Sequence, residues 1–524
     1  MTILVRSPEE EAGEAGEGAG GAEGAGSGGA APGAPSRAAA VAWVWPALTA
    51  LLLSFAGIDG TLLGTDELVT WEVSRRSPQE IWALLHHVDA VHGSYYFLMH
   101  GWTAVFGDSH LSLRMPTVLA VTATAALVTL TGRRLFGQRA GLCAGTLFAV
   151  LPAASRFAQE ARSYALVMLF ASLATFLLLR ALDGSRRPWG RAARWAAYGL
   201  CLAVLGLLHL IALTIVLCHA PAAVLRARRT GRGLWSFLLA GSAAAVCVLP
   251  VFLLGRSQAS RQLFWLPRPD AWGLAEIWPQ LFASALCAGA VIALAALAWR
   301  EDRENVLLCS AVAVLPPFVL WAASHGEVSY FRYQYALFTV PAWALLAGAG
   351  LAGATRSRRA AAAVLAVVAL LALPDQRRVR SPFEHDVPHA ADYAGAARTI
   401  EKYYRPGDAV VYVRGAPWML DQGLRYYLKP GVDPREVFLA RSAADNEELF
   451  PVYCRVPVRC LAGESRIWVV VPGSDADVLQ AVPKEQAAAL RSRYTLFGTE
   501  SLSGLTVGLL ESKPAGAPGT PGAS

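Results

Sequence analysis

Polar side chains crowd a short turn between two apolar segments. The stretch "SRFAQEARSYAL" (155–166) contains Arg156, Gln159, Glu160, Arg162 and Tyr164. So many polar groups beside lipid are costly unless they pair with one another or bind a ligand. Helical spacing predicts that the first three share one side of a helix, an arrangement suited to an anion or to sugar hydroxyls.

A second polar stretch follows the first apolar run of the chain. The run covers residues 40–58, and "LGTDELVTWEVS" (63–74) then places Asp66 beside Glu67. The same loop continues with Asp89, His92 and Tyr95. An adjacent Asp-Glu pair is a weak motif alone, and an exposed loop carries such residues freely. The second polar turn on what we expect to be the same side of the membrane favours a shared site.

Two further features of these loops have alternative interpretations. Ile81, Trp82, Leu84 and Leu85 predict a short helix with an apolar face lying at the membrane interface. Arg332 begins an otherwise apolar helix in "HGEVSYFRYQYALF" (325–338). Its side chain either extends to the interface beside lipid or binds a lipid phosphate.

The elements that position these residues are predicted to be membrane-spanning helices. Of the 524 residues, 55% are hydrophobic and 16% are charged, which favours a polytopic membrane protein over a large soluble one. We predict eleven spans, with His209 marking the turn of a hairpin. The predicted apolar segments are 40–58, 115–131, 140–155, 163–181, 195–208, 210–225, 235–254, 281–299, 306–323, 333–352 and 360–374.

Arginine placement sets the predicted orientation. A net charge of +7 arises largely from arginines in short loops between apolar runs, so an orientation role is favoured over nucleic-acid binding. With eleven spans and a cytoplasmic N-terminus, these loops lie inside the cell, as the positive-inside rule requires. If 195–225 were instead one tilted helix, the chain would have ten spans. The arginine-rich loops "RARRTGR" and "TRSRR" could then not both lie in the cytoplasm. We therefore predict a multi-pass plasma-membrane protein whose C-terminus is extracytoplasmic.

The remaining segments differ in composition. Residues 1–37 are rich in Gly, Ala and Glu and predict a disordered cytoplasmic tail, and 513–524 predict a second disordered tail. Residues 38–374 form the predicted membrane domain, with a catalytic outer loop at 59–112. Residues 375–512 predict a small extracytoplasmic α/β domain, with strands in 407–415 and 465–473 and helices in 390–405 and 484–493.

Two details of the predicted C-terminal domain bear on function. No G-x-G-x-x-G follows either strand, so nothing marks a nucleotide site. Cys454 and Cys460 are the cysteines outside the apolar spans, and on the outer face a disulfide between them is permitted, although two separate thiols are an alternative.

The order of these motifs resembles that of the integral-membrane glycosyltransferases of GT-C type. The Asp66-Glu67 pair, the histidine and tyrosines of "HGSYY" (92–96), "QEARSYA" (159–165) and "FRYQYALFTVPAWALL" (331–346) resemble the family 39-like group of protein O-mannosyltransferases and aminoarabinose transferases. The resemblance covers roughly 40–374. Many relatives carry His-Pro-Pro before the tyrosines, whereas this chain has His92-Gly93-Ser94. The Ala-, Arg- and Gly-rich composition suggests an actinobacterial source.

The resemblance implies a donor sugar, mannose or a similar hexose, carried on a polyprenyl phosphate in the outer leaflet. The acceptor is a hydroxyl of a protein, glycan or glycolipid, and attack opposite the phosphate predicts inversion. The phosphate is a good leaving group, so the site needs a base and cations. No cofactor or metal is expected, although Asp66, Glu67 and Asp89 could bind a divalent ion.

Site roles follow from the same resemblance. Asp66 would be the base, and Glu67 would orient the acceptor or hold Asp66. Donor and acceptor binding would fall to Asp89, His92, Tyr95, Arg156, Gln159, Glu160, Arg162, Tyr164 and Arg332. Within this set Gln159 and Glu160 would shape the sugar pocket, and Arg162 and Arg332 would bind the phosphate.

Two other classes of function fit part of the pattern. A secondary transporter would place charges at the bilayer midplane on broken, repeated helices, whereas here the charges gather at one face and no repeat is apparent. A membrane-anchored envelope assembly protein would act through its C-terminal domain, in which the sequence marks no site.

Overall fold

The structure is a computed structural model that describes residues 41–183, 187–381, 391–413, 419–461, 463–473 and 477–514. The tail predicted over 1–37 and nearly all of the tail predicted over 513–524 lie outside the described residues. The described part is mostly helical and ends in a small mixed sheet. This is the predicted fold class, a helical membrane protein with a C-terminal α/β domain.

The membrane part of the described chain consists of helices joined by short connections. Several are interrupted by 3₁₀ turns at 90–92, 210–214, 297–300 and 333–339. The helices are α1 (Val44–Phe55), α2 (Thr65–Ser74), α3 (Pro78–His87), α4 (Gly93–Phe106), α5 (His110–Phe136), α6 (Gln138–Val150), α7 (Pro152–Ala158), α8 (Tyr164–Leu182), α9 (Pro188–Leu208), α10 (Ile215–Thr230), α11 (Leu234–Gln262), α12 (Ala271–Phe282), α13 (Ala285–Ala296), α14 (Arg303–Ala323), α15 (Val340–Ala354) and α16 (Arg358–Arg378).

The number of spans differs from the eleven predicted. Within the described residues eight helices are long and apolar enough to cross a membrane, or up to ten if each of two bent pairs is one span. The predicted first span is only the 12-residue α1. At 1.5 Å per residue such a helix is shorter than the ~30 Å of a hydrocarbon core. The break predicted at His209 is present, since α9 ends at Leu208.

Both bent pairs have a local cause. Helices α6 and α7 meet at 59°, where Pro152 begins α7 and offers no backbone N–H to continue the preceding helix. Helices α12 and α13 meet at 95°, where Ala283 has the left-handed φ of 51°. The bend after α6 aims the polar turn at 159–163 toward α2.

Glycines let the central helices approach closely. A Cβ on Gly141 of α6 would lie 2.4 Å from the carbonyl oxygen of Thr129 on α5, and a Cβ on Gly348 of α15 would lie 2.4 Å from the Ala144 nitrogen. Among the described residues, the span Tyr333–Ala354, which contains α15, is the most enclosed candidate, with 89% of its apolar window buried. Helices α5, α6 and α15 are therefore closely packed at the centre of the membrane domain. The polar turns follow from the ends of such helices.

The C-terminal domain contains a five-stranded sheet in the order β2 (Arg435–Glu436), β1 (Ala409–Tyr412), β5 (Arg466–Pro472), β7 (Leu505–Ser512) and β6 (Tyr494–Leu502). Strands β1 and β5 are parallel, while β7 pairs antiparallel with both β5 and β6. The predicted strands and helices of this domain are all present. Its elements are α17 (Tyr393–Tyr403), β1 (Ala409–Tyr412), α18 (Leu420–Tyr427), β2 (Arg435–Glu436), β3 (Leu439–Arg441), β4 (Val452–Tyr453), α19 (Pro457–Cys460), β5 (Arg466–Pro472), α20 (Lys484–Arg493), β6 (Tyr494–Leu502) and β7 (Leu505–Ser512). Cys454 and Cys460 form a disulfide.

The two faces of this sheet bury different cores. Val411 and Val469 belong to a core that the domain forms by itself with α20. Val410 and Val470, which alternate with them, belong to the apolar core that continues into the membrane helices. The C-terminal domain is therefore packed against the membrane domain.

Candidate active site

Glu67 is the buried centre of the region. It lies in the first turn of α2 and is 1% exposed. Its Oε1 accepts hydrogen bonds from Arg114 Nε and the Ala161 backbone N–H, both at 2.9 Å. Its Oε2 accepts from Arg114 Nη2 at 2.9 Å and from the Gly64 N–H at 3.0 Å. One carboxylate thereby connects α2, α5 and the turn that follows α7.

Arg114 completes this network from inside α5. It is fully buried, and its Nη1 donates to the Ile58 carbonyl at 2.6 Å and to Thr61 Oγ1 at 2.7 Å. Its Nη2 also donates to the Leu62 carbonyl at 3.2 Å. The planar fork of arginine suits such a set of fixed acceptors. Arg114 therefore fixes the chain that leads from α1 into α2.

Asp66, next to Glu67, has a different environment. Its side chain is 55% exposed, and its Oδ2 lies 3.7 Å from Nε of Arg162, whose side chain is 7% exposed. Burial disfavours the charged form of Arg162, but the Asp66 carboxylate beside it keeps the pKa of Arg162 above its ordinary value. The site thus combines an accessible carboxylate with a buried guanidinium.

His92 lies on the other side of Arg162. Arg162 Nη2 donates to Nε2 of His92 at 3.2 Å, which assigns the ring proton to Nδ1. Burial, together with the charge of Arg162, lowers the pKa of His92 well below its usual value. The ring is therefore neutral and acts as an acceptor that orients the guanidinium.

Asp89 is held in a strained backbone conformation at the same end of the bundle. Its φ is 58°, in the left-handed region, where a residue with a side chain costs roughly 1 kcal/mol. Its carboxylate accepts from the Tyr96 hydroxyl at 2.6 Å and from the Gln262 amide at 2.8 Å. These two bonds fix Asp89 against α4 and the end of α11.

Several buried polar atoms in this region have no hydrogen-bond partner among the described residues. They include the Tyr95 hydroxyl, Nη1 of Arg162 and Nδ1 of His209. The His209 ring packs 6.3 Å from that of Tyr164 and 4.7 Å from that of Tyr335. Unpaired buried polar groups are costly. The Tyr95 hydroxyl and Nη1 of Arg162 can each donate a hydrogen bond to an anionic oxygen of a ligand.

Glu160 and Arg156 lie on the turn beside Asp66. Burial raises the pKa of Glu160 to about 7, and the Arg156 charge opposes this rise. The Arg156 guanidinium lies 5.2 Å from the ring of Phe157 and 5.8 Å from that of Tyr333. Glu160 is consequently able to change its protonation near neutral pH.

Gln159 lies differently from what helical spacing suggested. Helix α7 ends at Ala158, so helical spacing does not extend to residues 159 and 160. Gln159 instead points back to α1, donating to the Ser54 and Ala56 carbonyls at 2.8 and 2.9 Å. Arg332 stacks on the exposed Trp265, with 5.0 Å between the guanidinium carbon and the ring centre. Neither contacts Asp66 in the structure.

The short helix of the outer loop also needs one correction. Ile81, Leu84 and Leu85 of α3 are buried in the apolar core of the protein, whereas the sequence predicted that they face the membrane interface. Trp82 is 61% exposed, because a residue one position from Ile81 is rotated by about 100° around the helix.

Some residues at this site were not singled out from the sequence. These are Arg114 and Gln262. Arg114 could have been found, because it is a charged residue at the start of a long apolar run, where buried charges need partners. Within the described residues no group of three His, Cys, Asp or Glu side chains could hold a metal ion. Asp66, Glu67 and Asp89 are therefore not gathered as a set of ligands.

Residues 94–253 match one protein-family model. The family is described as dolichyl-phosphate-mannose-protein mannosyltransferase. The chain also resembles ArnT from Cupriavidus metallidurans bound to undecaprenyl phosphate, with 15% identity, a TM-score of 0.58, and coverage of 90% of this chain and 98% of that one. For ArnT in the apo state the identity is 16%, the TM-score 0.57 and the coverage the same.

A further solved structure is less similar. The oligosaccharyltransferase of Archaeoglobus fulgidus in the apo form shares 12% identity at a TM-score of 0.49, with 92% of this chain and 75% of that chain covered. No curated protein matches the sequence. The similarity to ArnT over nearly the full length of both chains shows the GT-C-like fold that the sequence predicted.

Proposed function

We propose that the chain is a membrane glycosyltransferase that moves a sugar from a polyprenyl phosphate to an acceptor hydroxyl. The donor sugar is a hexose such as mannose. Two comparisons support this class of donor: the family model is described by a dolichyl-phosphate-mannose reaction, and the ArnT structure contains undecaprenyl phosphate. The observation that carries the proposal is the accessible Asp66 carboxylate beside the buried Arg162 guanidinium.

Asp66 supplies the base. The acceptor hydroxyl gives its proton to the Asp66 carboxylate as its oxygen forms a bond to the anomeric carbon. The bond from that carbon to the phosphate oxygen breaks at the same time, and the polyprenyl phosphate leaves with the electron pair. Attack opposite the phosphate inverts the anomeric configuration. A positioned base of this kind contributes about 10²- to 10⁴-fold to the rate.

Arg162 meets the charge that develops on the leaving phosphate. Its Nη1 is buried and has no hydrogen-bond partner in the described chain, so a phosphate oxygen can accept from it without displacing another bond. Arg332, whose guanidinium stacks on Trp265, is a second phosphate ligand in this proposal. Tyr95, Tyr164, Arg156 and Glu160 bind sugar hydroxyls. Glu67 and Gln159 hold the surrounding backbone, and His92 and Asp89 orient the groups beside it.

The site faces the outside of the cell in this proposal. The arginines in the loops at the opposite ends of the helices support this orientation through the positive-inside rule. The Cys454–Cys460 disulfide supports it as well, because disulfides persist in oxidising compartments. Counting the apolar run that contains α1 as a span, and each bent pair as one span, gives eleven spans. The N-terminus is then cytoplasmic and the C-terminal domain extracytoplasmic.

Asp66→Asn tests the proposal, with Asp59→Asn as its matched control. Asp59 is an exposed carboxylate in the segment that leads into α2 and has no role in the site. The assay follows a labelled polyprenyl-phosphate hexose in membranes that contain the purified chain and envelope acceptors. We expect transfer to fall at least about 100-fold in Asp66→Asn and to stay at the wild-type rate in Asp59→Asn. If Asp66→Asn transferred sugar at the wild-type rate, the assignment of Asp66 as the base would be refuted. If the chain moved a solute across the membrane without consuming the donor, the transporter alternative would be favoured.

A further inference from the structure

The C-terminal domain contacts the helix that carries Asp66 directly. Helix α18 of that domain packs on α2 of the membrane domain. At the start of α2, the Tyr427 hydroxyl accepts a hydrogen bond from the Leu63 N–H at 3.0 Å. The same hydroxyl lies 3.0 Å from Nε2 of His110, the first residue of α5.

The direction of these bonds follows from the donors available. The Tyr427 oxygen already accepts from the Leu63 N–H, so its own proton is available for Nε2 of His110. Tyr427 of the C-terminal domain thus links the backbone just before α2 to His110 at the start of α5. Leu63 is three residues before Asp66 and 2% exposed, so water does not reach its N–H. The Tyr427 hydroxyl is therefore the acceptor that this buried N–H needs.

Tyr426 makes a second contact in the middle of α2. Its ring meets that of Trp71 edge-on, with centres 5.2 Å apart, and stacks on His110 at 5.3 Å. Its hydroxyl donates to the Asp108 carbonyl at 3.2 Å, and the Asp108 carboxylate accepts from the Trp71 indole N–H at 2.9 Å. Trp71 is therefore fixed on two sides.

A third contact holds the end of α2. Arg76 is 4% exposed and binds Glu72 one turn earlier at 2.8 Å. The same guanidinium nitrogen donates to the Glu448 carbonyl of the C-terminal domain at 2.9 Å. The C-terminal domain therefore contacts α2 near its beginning, its middle and its end.

We infer that the C-terminal domain is a positioning element of the active site, and that Tyr427 and Tyr426 fix the placement of Asp66 through α2. This inference rests on the proposed role of Asp66 in sugar transfer. Glu67 and Arg114 hold the inner side of α2, but the outer side of its first turns is held by residues of the C-terminal domain. A base that moves by about 1 Å loses roughly 100-fold in rate.

Tyr427→Phe tests the inference with little change in shape. It removes the hydroxyl that binds Leu63 and His110 and keeps the ring. We expect the Leu63 amide to exchange with deuterium about tenfold faster, and kcat for sugar transfer to fall about tenfold with the donor KM unchanged within about twofold. Tyr494→Phe is the matched control, because the Tyr494 hydroxyl also bonds to the backbone, donating to the Glu464 carbonyl within the same domain. That variant should exchange and turn over like the wild type.

A rescue variant separates positioning from general stability. In His110→Gln the carbonyl oxygen of the introduced amide can accept the Tyr427 proton in place of Nε2 of the histidine. This variant should therefore keep most of the rate that His110→Ala loses. Wild-type exchange at Leu63 in Tyr427→Phe, or an equal loss in Tyr494→Phe, would overturn the inference. Deuterium exchange needs no sugar donor, so a wild-type chain that transferred no sugar would refute the proposed function alone.

Discussion

Replacing Glu67 with glutamine should destabilise the membrane domain and disable the site together. Four donors reach the two oxygens of Glu67, two of them from Arg114 and one each from the Gly64 and Ala161 backbones. A glutamine offers one oxygen, so in either orientation its amide group faces two donors that it cannot accept from. It also leaves the fully buried Arg114 without its counter-charge.

The size of the effect follows from these contacts. Removing one member of a buried ion pair costs about 3–5 kcal/mol, because the other charge stays buried and uncompensated. The matched control is Glu72→Gln on the same helix, whose side chain is 16% exposed and pairs with Arg76. Arg76 is itself 3% exposed, but it can still donate to the oxygen of the introduced amide and to the Glu448 carbonyl, so we expect a smaller cost of about 1–3 kcal/mol there.

The assay is thermal unfolding of the chain in lipid nanodiscs, combined with the transfer of labelled hexose from polyprenyl phosphate. In Glu67→Gln the unfolding midpoint should fall well below that of Glu72→Gln, and transfer should fall at least about 100-fold, since the turn bearing Arg162 is no longer fixed by the Ala161 N–H. If Glu67→Gln and Glu72→Gln had the same midpoint and the same rate, the argument that Glu67 organises the site would be refuted.

Two further predictions concern pH and the disulfide. In the folded state the pKa of Glu160 is about 7, which is higher than in the unfolded state. The protonated carboxyl therefore contributes to stability below pH 4.5, and this contribution is lost as pH rises toward 7. Glu160→Gln should therefore reduce the fall in unfolding midpoint between pH 4.5 and 7, and an unchanged pH profile would contradict the burial of this carboxyl. The Cys454–Cys460 disulfide closes a loop of sequence separation 6. The double serine variant should therefore lose about 2 kcal/mol of unfolding free energy in urea unfolding of the C-terminal domain. Unchanged unfolding on reduction of the wild type would contradict this estimate.

The class of the fold and the location of the polar turns follow from the amino-acid sequence alone. Apolar runs of membrane length predict spanning helices because backbone groups in lipid must bond within their own segment. Local patterns also predicted α20 and strand β5 of the C-terminal domain with bounds close to those observed. His209 was predicted to interrupt a long apolar run, and α9 ends at the residue before it.

Tertiary structure decided what each polar residue does. Adjacent residues Asp66 and Glu67 read alike in sequence, but Arg114, 47 positions after Glu67, buries one carboxylate and leaves the other exposed beside Arg162. Helical spacing places Gln159 on one side with Arg156 and Glu160, but Gln159 points to α1 because α7 ends at Ala158. The contact between Tyr427 and Leu63 joins residues 364 positions apart, and no local pattern encodes it. Such contacts depend on how whole elements pack, and packing is set by the complete chain.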